Sequence, residues 1–129
     1  MPATAYAHDI DPRQKLLDAI GDVAGVELFH TQVLCAIYIA PETTKGGIIR
    51  PPSNVDEDKY QGKVGLIVKL GPEAFAKDSK WQWPDDLGLG DWVFYRVSDA
   101  YACHVNQVDC RIIEDVDVKG RVDHPDRVW

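Results

Sequence analysis

The chain has 129 residues and a formal net charge of −7, with 45% hydrophobic and 27% charged residues, a composition typical of one globular domain. The acidic balance argues against nonspecific binding to nucleic acid, which needs clustered lysines and arginines. The sequence holds no run of about 20 apolar residues, as a membrane-spanning helix requires, and its start lacks the pattern of a signal peptide. We therefore expect a cytoplasmic protein that binds neither nucleic acid nor membrane.

Residues 1–25 are predicted to form an N-terminal arm followed by a short helix. The arm is small and polar and has no hydrophobic period. The pair Asp11-Pro12 matches the residues preferred at a helix start, and Gly21 marks the end. Apolar residues recur at helical spacing between these signals, at Leu16, Leu17 and Ile20. A helix this short must pack on another surface, either its own domain or a neighbouring subunit.

Residues 26–40 are rich in strand-forming residue types, and residues 33–39 are nearly all apolar. Such a run is typical of a strand that is buried on both faces or lies at a subunit seam. Cys35, within this run, is expected to be a small buried hydrophobic residue.

Residues 41–61 are predicted to form a long loop, because glycine and proline pairs prevent a regular element there. Gly46 and Gly47 precede the apolar pair Ile48 and Ile49, and Arg50 with two prolines follows. No regular element can bury these isoleucines locally. They either fold back on the core or form an apolar anchor on a flexible loop that is presented to a partner, since loops of this length are commonly functional.

Five further strands are predicted after the loop. Gly65 in the first of them indicates a bulge or a tight bend, and the last alternates charged residues with valine, as a half-buried edge strand does. Short strands separated by turns at this spacing indicate a mainly-β fold, a small β-barrel. The predicted strands cover residues 62–70, 92–95, 101–105, 108–114 and 115–122.

An insertion of residues 71–89 carries Trp81 and Trp83. In an extended segment, residues two positions apart lie on the same side, so we expect the two indoles to share one side. They are either buried in the core or placed at an interface, where tryptophan is a common hot spot. The insertion has no converging polar groups of the kind that a small-molecule pocket needs, so we expect Trp81 and Trp83 to stabilise an assembly.

The sequence contains no catalytic, nucleotide-binding or metal-binding motif. The four histidines are scattered, and the carboxylates form no recognisable pair. Cys103 and His104 are neighbours in a predicted strand, so their side chains point to opposite faces and cannot readily share a metal ion. We therefore predict no enzyme activity, no cofactor and no metal site.

Four segments follow one another in a distinctive order: QVLCAIY at residues 32–38, ETTKGGII at 42–49, QGKVGLIV at 61–68 and GDWVFY at 90–95. In order and spacing they resemble the chaperonin-10 (GroES-like) co-chaperonins over residues 26–122. The resemblance implies a small β-barrel with a mobile docking loop and a roof-like insertion near the ring axis. It also implies terminal strands that pair between neighbouring subunits to close a ring, a heptamer by family analogy.

Two functions fit this resemblance. The first is a co-chaperonin whose ring caps a chaperonin folding chamber, with Gly46, Gly47, Ile48, Ile49 and Arg50 docking on the chaperonin's apical domains. The second is a structural subunit of a bacteriophage virion, for capsid decoration or assembly. It is favoured because the family has a third apolar residue where this chain has Arg50, and because both ends extend beyond the family core.

The predicted organisation is an arm and helix in residues 1–25, a barrel in residues 26–122 and a tail in residues 123–129. The small size and the two extensions suggest a bacteriophage-encoded member of the family. Such a co-chaperonin would act in the host cytoplasm, whereas the structural subunit would lie in the virion.

Overall fold

Six strands and one short helix form the regular structure of the described chain, which in this computed structural model comprises residues 11–38, 64–76 and 83–125. The strands are β1 (Gln32–Ile37), β2 (Val64–Leu70), β3 (Trp92–Phe94), β4 (Tyr101–Val105), β5 (Val108–Glu114) and β6 (Gly120–Val122). They form one antiparallel sheet in the order β4-β5-β1-β2-β3-β6. The predicted mainly-β fold is confirmed.

The helix, α1 (Pro12–Ile20), has the bounds that the sequence predicts. Pro12 lies in the first turn, where backbone N–H groups have no partner within the helix, so its missing N–H costs no hydrogen bond. Gly21 ends the helix with a positive φ of 61°, and its N–H donates to the carbonyl of Leu17 at 3.0 Å. The Asp11 carboxylate makes no capping hydrogen bond, so the expected cap is absent and Pro12 carries the start signal. Neither α1 nor any other described segment is a helix with the length and apolarity needed to cross a membrane.

Strand β1 lies inside the sheet, between β5 and β2. Its residues from Val33 to Ile37 are at most 2% exposed. One face packs in a cluster around Leu34 and Trp92, called here the helix-side core, and the other in a cluster around Val33 and Val93, the far-side core. Burial on both faces is confirmed. The alternative, a subunit seam formed by this strand, is wrong because both edges of β1 are paired within the chain.

Helix α1 covers its own sheet. Ile20 is 2% exposed and belongs to the helix-side core. At the end of the helix, the carbonyls of Ile20 and Asp22 accept hydrogen bonds from the side-chain amide of Asn106, in the turn between β4 and β5. The distances are 2.5 Å and 3.0 Å. Lys69 on β2 donates to the carbonyl of Val23 at 2.8 Å. These contacts favour α1 as a cover of its own domain over α1 as a grip on a neighbouring subunit.

Gly65 allows β1 and β2 to approach closely. A Cβ atom at this position would lie 2.8 Å from the Cβ of Cys35 and 3.2 Å from the ring of Tyr95. The bulge suggested at Gly65 is found elsewhere: Leu34 pairs with Lys69 and Cys35 with Ile67, so the residue between them on β2 is the extra one.

Two predicted strands are shorter in the structure. Strand β1 begins only at Gln32, because the chain turns at His30, which has a positive φ of 55°. The predicted strand of residues 115–122 is reduced to β6, because Asp115–Asp117 forms a 3-10 turn. The buried Asp115 carboxylate holds this turn by accepting a hydrogen bond from the N–H of Phe75 at 3.2 Å. The edge position of β6 agrees with the prediction.

Candidate partner-binding site

The predicted docking loop leaves and rejoins the sheet at neighbouring positions. Its key residues lie outside the described residues: Gly46, Gly47, Ile48, Ile49 and Arg50. Both stems are described. The N–H of Tyr38, directly after β1, donates to the carbonyl of Val64, the first residue of β2, at 3.1 Å. Residues 39–63 therefore begin and end on two adjacent strands in the middle of the sheet.

The two stems are held by the hydrophobic core. Tyr38 is 2% exposed and Val64 is fully buried. The ring of Tyr38 meets the indole of Trp92 edge to face, with centroids 5.5 Å apart and planes at 80°. Gly65, next to the second stem, lets the strands pack without a gap. A loop on such stems is carried by a rigid scaffold, the usual arrangement for binding loops.

Two titratable side chains in the interior beside the stems, Cys35 and Tyr95, stay protonated and uncharged. Burial raises the pKa of the Cys35 thiol. Burial also raises the pKa of the Tyr95 hydroxyl, with Cys35 adding to the effect and Arg111 opposing it. A buried thiol with a raised pKa stays protonated and is a poor nucleophile. Among the described residues, no three His, Cys, Asp or Glu side chains are grouped as metal ligands. This region therefore offers packing to a neighbouring loop and no activated group.

The insertion tryptophans are only partly described. Trp81 lies outside the described residues. Trp83 meets Phe75 edge to face, with centroids 5.1 Å apart, and both pack with the far-side core. The Nε1 atom of Trp83 is buried and has no hydrogen-bond partner among the described residues. This contact favours the buried interpretation for Trp83, and the role of Trp81 and Trp83 in an assembly stays a prediction.

The docking loop and the insertion are separated along β2. The loop joins β2 at Val64, and the insertion leaves it after Leu70. A strand of seven residues spans roughly 20 Å between its end residues. The second loop stem and the start of the insertion therefore lie at opposite ends of β2.

Sequence reasoning missed the residues that position the loop, which are Tyr38, Val64 and Trp92. Two of them carried a usable signal, since Tyr38 and Trp92 are aromatic residues beside apolar stretches near the ends of predicted strands. Buried aromatic rings commonly pack edge to face with another aromatic ring. Which pair forms depends on strand order, and a single sequence does not specify that order.

The family comparison agrees with this architecture. The model of the family described as Cpn10, chaperonin 10 Kd subunit, matches residues 26–122. This range contains all six described strands, both loop stems and the insertion, and it leaves α1 outside. A comparison with individual curated proteins gave no match. Because the family model covers well over half of the 129 residues, the chain belongs to the chaperonin 10 kDa subunit family.

Proposed function

We propose that this chain is a co-chaperonin, a ring-forming subunit that caps the folding chamber of a GroEL-like chaperonin. Family membership supports a chaperone role and a chaperonin partner. The observation that carries the proposal is the pair of loop stems at Tyr38 and Val64, hydrogen-bonded to each other and buried in the core. Such stems are suited to presenting residues 39–63 away from the sheet.

In this proposal, Ile48 and Ile49 are the anchors that enter an apolar groove on the chaperonin's apical domain. Burying one isoleucine side chain stabilises a complex by roughly 1.5–3 kcal/mol. Ordering the loop on binding costs free energy in the opposite direction. One loop therefore binds weakly, and useful affinity requires several loops linked in one ring, because each engaged loop raises the effective concentration of the next.

The ring is proposed to be a heptamer that works in the cytoplasm without enzymatic activity. Strand β6 supports the assembly part of the proposal, since it is a short edge strand that pairs only with β3 among the described strands. An unpaired strand edge is a ready template for pairing with another chain. Trp81 is proposed to contribute to the roof of the ring, while Trp83 fixes its segment to the core through Phe75.

The experiment measures complex formation between the ring and a GroEL-type chaperonin with ADP present, by co-elution at equal ring concentration. Ile48→Ser and Ile49→Ser should leave the ring intact by native mass spectrometry. A loss of about 1.4 kcal/mol in binding free energy lowers the affinity of one loop tenfold. The fold-losses of the engaged loops multiply, so both variants should lose detectable capping. Arg50→Leu restores a third apolar residue and should strengthen binding.

A matched control is Leu17→Ser, a half-exposed apolar side chain on α1 outside the family match. It should bind the chaperonin as the unaltered chain does. The co-chaperonin proposal fails if the two serine variants in the loop bind as well as Leu17→Ser does. It also fails if the unaltered ring shows no binding at all.

A structural subunit of a bacteriophage virion is the second candidate. It is favoured by Arg50 and the two prolines that follow Ile49, because a charge and a rigid turn replace the third apolar anchor of the family pattern. The extension that contains α1 lies outside the family match and packs on the sheet. An added element of this kind also fits a structural subunit. In that case the chain should co-purify with virus particles, and Ile48→Ser should not change its affinity for a chaperonin.

A further inference from the structure

Two of the three cysteines face each other across the hairpin of β4 and β5. Cys103 on β4 is the register partner of Cys110 on β5. Both side chains pack with the helix-side core, so they point to the same side of the hairpin. Cys35 lies in the far-side core, on the opposite face of the sheet. The structure therefore contains one thiol pair and one separate thiol.

The Cα spacing that the register implies for this pair falls in the range that disulfides join. Val105 and Val108 close a two-residue turn in which Asn106 and Gln107 both have positive φ, as a type I′ hairpin requires. The closing pair of such a hairpin, Val105 and Val108, is hydrogen-bonded. Hydrogen-bonded and non-hydrogen-bonded pairs alternate along an antiparallel ladder. Cys103 and Cys110 lie two positions further along, so they form a hydrogen-bonded pair as well. Its Cα atoms are about 5.5 Å apart in regular ladders, within the range that disulfides join. The Cβ atoms of a hydrogen-bonded pair are about 5.5 Å apart, beyond the roughly 3.5–4.5 Å of a relaxed disulfide, so the two strands must shift slightly and the bond is readily reduced again.

The two thiols differ in access to solvent. Cys103 is partly exposed on β4, an edge strand with no strand on its outer side among those described. Cys110 is fully buried. Burial raises the pKa of Cys103, and it raises the pKa of Cys110 to about 11, with Cys103 adding to the latter effect. An outside disulfide can therefore reach Cys103 first, and Cys110 is placed to complete the exchange.

We propose that Cys103 and Cys110 form a reversible disulfide by exchange with a small disulfide such as oxidised glutathione. The Cys103 thiolate attacks one sulfur of oxidised glutathione, forming a mixed disulfide and releasing one glutathione thiolate, which takes up a proton. The Cys110 thiolate then attacks the Cys103 sulfur and releases the second glutathione. The two protein thiols are oxidised, and one glutathione disulfide is reduced to two glutathione thiols, so atoms and electrons balance.

The disulfide would fix β4 to the rest of the sheet. Strand β4 pairs only with β5 among the described strands. The turn enclosed by the bond carries Asn106, which holds the end of α1. A cross-link also restricts the unfolded chain. Oxidation should therefore raise the melting temperature and slow amide exchange in β4.

The test incubates the ring with oxidised glutathione near pH 9, where thiolates are more abundant, and then blocks free thiols and measures masses after digestion. In the unaltered chain we expect a cross-link between the peptides containing Cys103 and Cys110, reversed by excess reduced glutathione. Cys110→Ala should stop at one glutathione adduct on Cys103. Cys103→Ser should stay unmodified, because its remaining thiols are buried.

Cys35→Ala is the matched control and should form the same cross-link as the unaltered chain. Cys103→Ser alters a partly exposed position, so it keeps the test valid if Cys110→Ala does not fold. The proposal is overturned if the unaltered chain keeps three free thiols under these conditions. It is equally overturned if the reaction stops at a glutathione adduct, or if Cys103 cross-links two chains on a non-reducing gel.

Discussion

Replacing Gly65 with alanine tests the packing that holds the loop stems. The added Cβ would lie 2.8 Å from the Cβ of Cys35, 3.2 Å from Cε1 of Tyr95 and 3.4 Å from the carbonyl oxygen of Ala36. The closest of these atoms is fixed to the β1 backbone, so no side-chain rotation relieves the contact. Both strands must move apart beside the second stem, at Val64.

The expected cost follows from this overpacking. Adding a methyl group to a packed core costs about 1–3 kcal/mol, and replacing glycine returns up to about 1 kcal/mol by restricting the unfolded chain. The 2.8 Å contact is with an atom fixed to the backbone, so the overpacking cost lies in the upper part of this range, about 2–3 kcal/mol. The net loss is therefore about 1–2 kcal/mol in the free energy of unfolding. With an unfolding entropy of about 2.1 cal/mol/K per residue, 129 residues convert this loss to a fall of roughly 4–7 °C in Tm.

The assay is urea and thermal unfolding of the variant beside Gly25→Ala, a control position where a Cβ would meet no atom within 4 Å. Gly25→Ala should be as stable as the unaltered chain or slightly more stable. Combining Gly65→Ala with Cys35→Gly removes the clashing atom, and the double-mutant cycle should show a favourable coupling of at least about 1 kcal/mol. An unchanged midpoint for Gly65→Ala, or a coupling near zero, would refute the reasoning.

Three further predictions concern other parts of the sheet. Asn106→Ala removes two hydrogen bonds to the end of α1 and should cost about 1–3 kcal/mol; hydrogen exchange should speed up in α1, and unchanged protection would contradict this role. Trp83→Ala removes the contact with Phe75 and should cost about 2–4 kcal/mol, because the side chain is partly buried; an unchanged urea midpoint would favour a role in assembly alone. Stability should fall above about pH 9, because unfolded thiols ionise there while burial keeps Cys35 and Cys110 protonated in the folded state. The two thiols contribute fully to the free energy of unfolding below the pKa that they have in the unfolded chain. This contribution falls by up to about 1.4 kcal/mol per pH unit for each thiol as the pH rises towards the pKa in the folded state. Equal urea midpoints at pH 8 and pH 10 would contradict this prediction.

Local signals account for the features that the sequence predicted correctly. Pro12 and Gly21 mark the ends of α1 through their own backbone preferences, so no distant residue is needed to place them. The strands β2, β4 and β5 are predicted for a similar reason, because β-branched and other apolar residues favour the strand conformation. The alternation in β2 indicates one buried face, whereas its first five residues are buried on both faces. The family resemblance added the order of these elements.

The features that the sequence missed depend on contacts between distant residues. The turn at Asp115 is held by the N–H of Phe75, which a local pattern cannot reveal. The position of Gly65 reflects the approach of Cys35 from another strand. The sequence places Cys103 beside His104, whereas its position opposite Cys110 follows from the register of the β4–β5 hairpin.

The candidate site was predicted only in part for the same reason. The order of the glycines, isoleucines and Arg50 in the loop can be read directly from the sequence. The pairing of Tyr38 with Val64, and the contact of Tyr38 with Trp92, arise only when the strands assemble. A loop is visible in a sequence by its composition, but its stems are defined by strand order.

The most direct test of the proposed co-chaperonin function is a pull-down of the unaltered protein on an immobilised GroEL-type chaperonin, with and without ADP. The proposal predicts capture that depends on the nucleotide and is lost when the nucleotide is removed. Capture that is independent of nucleotide, or no capture at micromolar concentrations of both assemblies, would contradict the assignment.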